Sequence, residues 1–66
     1  MNTADKQRQL EQLNSKSAML ERSALIAYET GDFRNGLYYE RRYIDCQRRI
    51  YQLEHELQLT NHVEAA

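Results

Sequence analysis

The residues of this chain that could do catalytic or metal chemistry are one cysteine, Cys46, and two histidines, His55 and His62. A reactive cysteine needs an activating base, and no histidine lies within one helical turn of Cys46. The histidines are two helical turns apart, so they cannot chelate one metal ion without help from another chain. The sequence also lacks a glycine-rich phosphate loop and a Ser/His/Asp set. We therefore expect a protein that is not an enzyme and that has no cofactor.

Arginine chemistry is concentrated in the second half of the chain. Two arginine pairs are spaced so that a helix brings them round to one face: Arg41, Arg42, Arg48 and Arg49. One interpretation is a solvated face, on which Asp45 lies three or four residues from each arginine and pairs with them. The other is a patch that contacts nucleic-acid phosphates, with Tyr38 exposed nearby for a partner. The net charge of −1 and the absence of a lysine-rich tail favour the first interpretation.

Composition predicts the elements that carry these residues. The chain of 66 residues has no proline, two glycines and many good helix formers, which is typical of an all-α protein. No stretch approaches the roughly 18 apolar residues of a membrane span, and the N-terminus has no signal-peptide core. We therefore expect a soluble, cytoplasmic protein. Because a domain this small with one cysteine cannot form an internal disulfide, a second subunit is expected to stabilise it.

The apolar residues predict two helices with one seam each. They recur in alternating steps of three and four residues, which is the spacing of a coiled-coil seam. The predicted seam comprises Leu10, Leu13, Leu20, Ala24 and Ala27 in helix 1 and Tyr39, Tyr43, Cys46, Ile50 and Leu53 in helix 2. We expect helix 1 over about residues 4–29, a turn at 30–32, helix 2 over about residues 33–59 and a frayed tail at 60–66.

The turn between the helices predicts an antiparallel hairpin. Gly31 suits the left-handed position that follows a helix end, and Asp32 suits the N-cap of the next helix. A connection this short makes the two helices antiparallel. Folding the chain at Gly31 pairs the two seams along their length, with Ser17 opposite Cys46 and small residues beside the turn.

Large apolar residues outside the seam predict a second copy of the chain. They form a ridge on helix 2 and crowd the half of helix 1 nearest the turn. The predicted oligomer interface is Met19, Ile26, Phe33, Leu37, Ile44 and Tyr51. Such a patch would be a liability on a monomer, and a dimer of hairpins, that is, a four-helix bundle, would bury it. Since no Lys or Arg follows Arg49, antiparallel packing of helix 2 would set the arginines of one copy beside the acidic end of the other.

The chain also resembles known proteins. Its whole length, from MNTADKQRQLEQLNSKS through AYETGDFRNGLYYERRY, is similar to the very short open reading frames of the early left region of lambda-like temperate phages, between the exonuclease and excisionase genes. Its plan is similar to that of the plasmid-encoded Rop bundle, without a shared motif. The phage resemblance implies a non-enzymatic accessory protein, made early in the bacterial cytoplasm. Such a protein would influence host replication, the cell cycle or the choice between lysis and lysogeny.

Three functional hypotheses follow. The favoured one is a dimeric helical hairpin that acts by binding a host or phage protein. The alternative is a nucleic-acid-binding regulator that uses the arginine face of helix 2, as Rop-type bundles use an exposed helix face. A third is a subunit that only supports a larger assembly.

Overall fold

The computed structural model describes the backbone of residues 3–65 and the side chains of residues 3–59. This part of the chain forms two helices, α1 (Thr3–Glu29) and α2 (Phe33–Ala65). They pack against each other as an antiparallel hairpin that measures 52 × 15 × 14 Å. The predicted all-α hairpin is thereby confirmed.

The end of α1 is set by Gly31, which has a φ of 81°. This left-handed conformation is strained for residues with a Cβ atom and free of that strain for glycine. It lets the Gly31 amide donate to the Tyr28 carbonyl at 3.1 Å and the Asp32 amide donate to the Ala27 carbonyl at 2.8 Å. These two bonds form a Schellman motif, which satisfies carbonyls that the helix end would otherwise leave unpaired.

The start of α2 is capped by Asp32. One carboxylate oxygen accepts from the Asn35 backbone amide at 3.3 Å, and the other accepts from the Asn35 side-chain amide at 2.6 Å. The Asp32 carbonyl accepts the first helical bond, from the Gly36 amide at 2.9 Å. Because one residue ends α1 and the next caps α2, the chain reverses direction within the predicted turn.

The backbone of α2 is helical as far as Ala65, beyond the expected end near Leu59. The sequence after Leu59 contains neither proline nor glycine, so no residue there stops a helix sterically. The frayed tail expected at 60–66 falls where side chains are not described, and Ala66 lies outside the described residues. Fraying of this segment stays a prediction.

The core of the hairpin is the narrow strip between the two helices. Each of the ten seam residues is buried or half-buried, and Leu53 has no exposed surface at all. Across the strip, the Cys46 thiol donates to the Leu13 carbonyl at 3.3 Å and the Gln47 amide donates to the Ser17 hydroxyl. Ser17 therefore lies at the level of Cys46, in agreement with the expected pairing of the seams.

Close to the turn the strip is filled by small residues. Ala24, Ala27 and Gly36 are all buried there. A Cβ atom on Gly36 would come within 2.6 Å of the Tyr28 ring, so the ring occupies the space that a larger residue would need. The helices approach closely in this half, and its large apolar side chains are left on the outside.

Candidate protein-interaction surface

One side of the hairpin carries an apolar groove between the two helices. The groove encloses a volume of about 280 Å³ and is lined by Glu21, Ala24, Leu25, Tyr28, Glu40, Tyr43 and Ile44. Further along α2, Ile44 and Tyr43 share a second depression with Tyr51, so the apolar surface continues past the groove. Five large side chains on this side form what we call the apolar face: Leu25, Phe33, Leu37, Ile44 and Tyr51. Their exposed fractions run from 43% for Ile44 to 75% for Tyr51.

The wall of the groove nearest the turn is held by Tyr28. Its hydroxyl donates to the Glu40 carboxylate across the two helices, and its ring lies 6.1 Å from the Phe33 ring at an angle of 47°. The hydrogen bond to Glu40 raises the pKa of Tyr28, with smaller contributions from burial and from the negative charge of Glu40. A carboxylate and a phenol thus give the groove a polar, acidic margin.

The other side of the hairpin carries a polar groove. Its side chains belong to two adjoining depressions lined by Gln9, Gln12, Leu13, Lys16, Arg42, Asp45, Cys46 and Arg49. Leu13 is half-buried and Cys46 is buried, and the other lining residues carry amides or charges. Water and ions can satisfy these groups, so this groove does not need a covering partner.

The residues of the predicted oligomer interface are exposed on both helices. Phe33, Leu37, Ile44 and Tyr51 lie exposed along α2, as expected. Met19 and Ile26 are also exposed, at 66% and 54%, but neither lines the apolar groove. The α1 side chain that meets Ile44 in the groove is Leu25, about 100° round the helix from Ile26. Leu25 is one of the apolar residues of helix 1 near the turn that predict a second copy, but it is not among the six residues of the predicted oligomer interface.

Two of the four arginines make hydrogen bonds to neighbouring side chains of α2. Arg42 donates to the Tyr38 hydroxyl at 3.0 Å with its guanidinium 5.5 Å from the centre of that ring, and Arg49 donates to the side-chain Oε1 of Gln52 at 3.1 Å. Within residues 3–59, Arg41 and Arg48 have no hydrogen-bond or ion-pair partner.

The expected pairing of the arginines with Asp45 is absent from this same part of the chain. The arginines also point to different sides of α2. Arg42 and Arg49 border the polar groove, and Arg48 adjoins Ile44. Arg41 lines a further depression with Leu37, Tyr38 and Arg42, so the four arginines are spread round α2 and none of these depressions holds all four. Tyr38 is 52% exposed and packs edge-on against Tyr39, with ring centres 5.4 Å apart.

Metal and membrane sites can be assessed for the described part of the chain. There, no group of three or more His, Cys, Asp and Glu residues is placed to hold a metal ion. Neither helix, over the same part, has a segment long and apolar enough to cross a membrane. Cys46 is a free, buried thiol.

Comparisons with protein-family models, curated proteins and solved structures give no match to this chain. The phage resemblance and the similarity to the Rop plan therefore stay predictions.

Proposed function

We propose that this chain is a non-enzymatic interaction protein whose apolar face binds protein, and whose first partner is a second copy of itself in a four-helix bundle. The observation that carries the proposal is the exposure of the apolar face. Phe33 and Tyr51 expose 64% and 75% of their surface although both are large aromatic residues. Exposed apolar side chains that cluster on one side of a small domain are typical of a binding surface.

The shape of the core supports the same proposal. Near the turn the hairpin buries alanine and glycine, and it leaves Leu25, Phe33 and Leu37 outside. Two helices can bury only one stripe each against one another. A second pair of helices packed on the apolar face would complete a core that a single hairpin lacks.

The size of the apolar face fits a protein partner. An interface of standard size buries about 800 Å² on each side, and one aromatic side chain can supply about 150–250 Å² of apolar area. At their exposed fractions, the five side chains of the apolar face correspond to roughly 500 Å². Polar neighbours at the rim would supply the remainder, as they do in other interfaces.

Self-association can be tested by thermal unfolding at several protein concentrations, followed by circular dichroism. A dimer that folds and associates together has a midpoint that rises with concentration, because only the folded state binds the second copy. We expect such a rise. A midpoint that is the same over a hundredfold dilution, with full helix content at each concentration, would contradict the proposal.

A protein of this kind fits the role that the phage resemblance implies. As an early accessory protein in the bacterial cytoplasm, it would act on host replication, the cell cycle or the choice between lysis and lysogeny through protein contacts. The surface left free by the dimer, including the polar groove and Tyr38, would be available to a host or phage protein. No catalytic step is part of this proposal.

A nucleic-acid-binding role is the second candidate, and it is favoured by the guanidinium groups of Arg41 and Arg48, which have no partner within residues 3–59. Fluorescence anisotropy of a labelled RNA hairpin and a DNA duplex at low salt would test it. If phosphate contacts exist, Arg41→Gln with Arg48→Gln should lower the salt dependence of binding by about one unit of slope per lost contact. Arg42→Gln with Arg49→Gln is the matched control, since those arginines bond within α2. Absence of binding by the wild-type chain would exclude this role.

A further inference from the structure

The apolar face runs from the turn as far as Tyr51 and does not reach the open end of the hairpin. Towards the open end of the hairpin, the same stripe of α1 continues through exposed polar residues, namely Asn14, Glu11 and Gln7. On α2 it continues through Glu54 and Gln58, which are also exposed. A second copy can therefore cover the apolar face with apolar surface only if the turn-proximal halves of the two hairpins overlap.

The stripe on α2 has a spacing that reads the same in both directions. Six exposed positions follow each other in steps of four, three, four, three and four: Phe33, Leu37, Glu40, Ile44, Gln47 and Tyr51. The two ends are aromatic, and the midpoint falls between Glu40 and Ile44. A helix with this pattern can meet an antiparallel copy of itself with every position in register, as a two-fold interface requires.

We infer that the second copy, whose presence rests on the proposed function, packs α2 against α2 in antiparallel orientation with the two-fold axis between Glu40 and Ile44. In this register Phe33 lies beside the partner's Tyr51, and Glu40 lies beside the partner's Ile44. Leu37 lies beside the partner's Gln47, whose aliphatic carbons cover it. The open ends of both hairpins extend beyond the four-helix segment.

Charges at the border of the stripe fit this register. Arg41 and Arg48 lie three and four residues either side of Ile44, and both lack a partner within residues 3–59. When Glu40 meets the partner's Ile44, its carboxylate therefore faces the space between the partner's Arg41 and the partner's Arg48. The Glu40 charge, which loses water on association, gains cations from the other chain. The Tyr28 hydroxyl of the same chain donates a further hydrogen bond to the Glu40 carboxylate.

Full-length overlap of the part of α2 whose side chains are described, residues 33–59, as in the Rop plan, is the competing register. It would bring Phe33 to the partner's Leu59 and Leu37 to the partner's His55, and it would cover much of the apolar face with polar side chains. It would also set the arginines of one copy beside the acidic end of the other. Exposed ion pairs contribute little to association, whereas the apolar contribution grows with the area removed from water. The shorter overlap is favoured for this reason.

Cysteine cross-linking distinguishes the two registers. Cys46→Ser removes the natural thiol while keeping a hydroxyl that can donate to Leu13. In that background, single cysteines are placed at three exposed positions: Phe33→Cys, Tyr51→Cys and Leu59→Cys. The Phe33→Cys chain is mixed with each of the others and oxidised, and circular dichroism and the solution mass are recorded for each mixture.

The inferred register predicts several-fold more disulfide between Phe33→Cys and Tyr51→Cys than between Phe33→Cys and Leu59→Cys. The reverse preference, in folded mixtures with the mass of a dimer, would overturn the register in favour of full-length overlap. Equal, low yields from dimers would also overturn it while leaving the proposed function intact. A monomeric mass for the folded, reduced chains would overturn both.

Discussion

The two grooves of this hairpin share one seam and differ in almost everything else. The apolar groove lies near the turn, where Ala24, Ala27 and Gly36 are buried and large side chains such as Leu25 stand outside the seam. The polar groove lies nearer the open end, beside Leu13 and Cys46, and its other lining residues carry amides or charges. Large apolar side chains that the seam does not take up therefore remain at the surface beside the first groove and not beside the second.

This difference indicates which surface of a two-helix protein can bind another chain. A helix pair has little interior, so apolar residues that the seam does not accept become surface that another chain can cover. The amides and charges of the polar groove have no such need, because water solvates them. Substitutions on the two sides should therefore affect different properties of the protein.

The largest expected effect comes from the shared seam. Leu53→Ala removes the side chain that is wholly buried and should lower the free energy of unfolding by about 2–5 kcal/mol. Because so small a domain has little stability to lose, both grooves should disappear together. Tyr51→Ala, two residues away and 75% exposed, is the matched control and should weaken association while leaving the helices formed. Urea unfolding at fixed protein concentration measures the free energy of unfolding of both variants. Equal decreases for Leu53→Ala and Tyr51→Ala would show that the seam and the apolar face do not contribute separately.

A smaller effect is expected at the two glycines. Gly31→Ala meets no neighbouring atom but places a Cβ on a residue with φ of 81°, which costs about 1–2 kcal/mol of stability. Gly36→Ala is different, because its Cβ meets the Tyr28 ring at 2.6 Å and must displace it from the apolar groove. We expect Gly36→Ala to change the dissociation constant of the dimer more than Gly31→Ala does. The comparison fails if sedimentation of the folded variants shows the opposite order.

The smallest expected effect is a change in the pKa of Tyr28. Its pKa is raised above the ordinary value of 10.0, chiefly because the Glu40 carboxylate accepts a hydrogen bond from its hydroxyl group. The hydrogen bond to Glu40 stabilises the folded protein only while the Tyr28 phenol is neutral. This contribution is fully present below the ordinary pKa of tyrosine and is lost as the pH rises through the raised pKa of Tyr28 in the folded protein. Glu40→Gln should move the Tyr28 titration back towards its ordinary value. Ultraviolet titration against Tyr28→Phe identifies the signal, and identical curves for wild type and Glu40→Gln would contradict the assignment.

The sequence alone predicts the hairpin well, because its strongest signals are local. Gly31 and Asp32 mark the reversal, and the spacing of leucines, alanines and tyrosines marks the buried strip. The candidate surface is less accessible to this reasoning. Leu25 and Ile26 are adjacent and equally apolar, and only the orientation of α1 against α2 decides which one reaches the groove.

The charges show the same limit. Four arginines at heptad spacing look equivalent in the sequence, yet Tyr38 engages Arg42 and the Gln52 side chain engages Arg49, while Arg41 and Arg48 have no partner among the described side chains. Side-chain partners one helical turn away depend on rotamers, which a residue pattern does not specify. The length of α2 was underestimated because Thr60 and Asn61 have low helix propensity, a weak signal that does not end a helix by itself.

The most direct test of the central claim, that the apolar face and not the polar groove is covered by a second copy, is sedimentation equilibrium over a dilution series. The wild-type chain is compared with Ile44→Asp on the apolar face and Gln12→Asp in the polar groove. We expect wild type and Gln12→Asp to reach twice the chain mass of 7.9 kDa. Ile44→Asp should raise the dissociation constant roughly a hundredfold. Each dimer carries the new charge twice, and a cost of about 1.4 kcal/mol for each charge corresponds to a factor of ten. A folded wild type with the mass of one chain at every concentration, or equal weakening by both substitutions, would contradict the account.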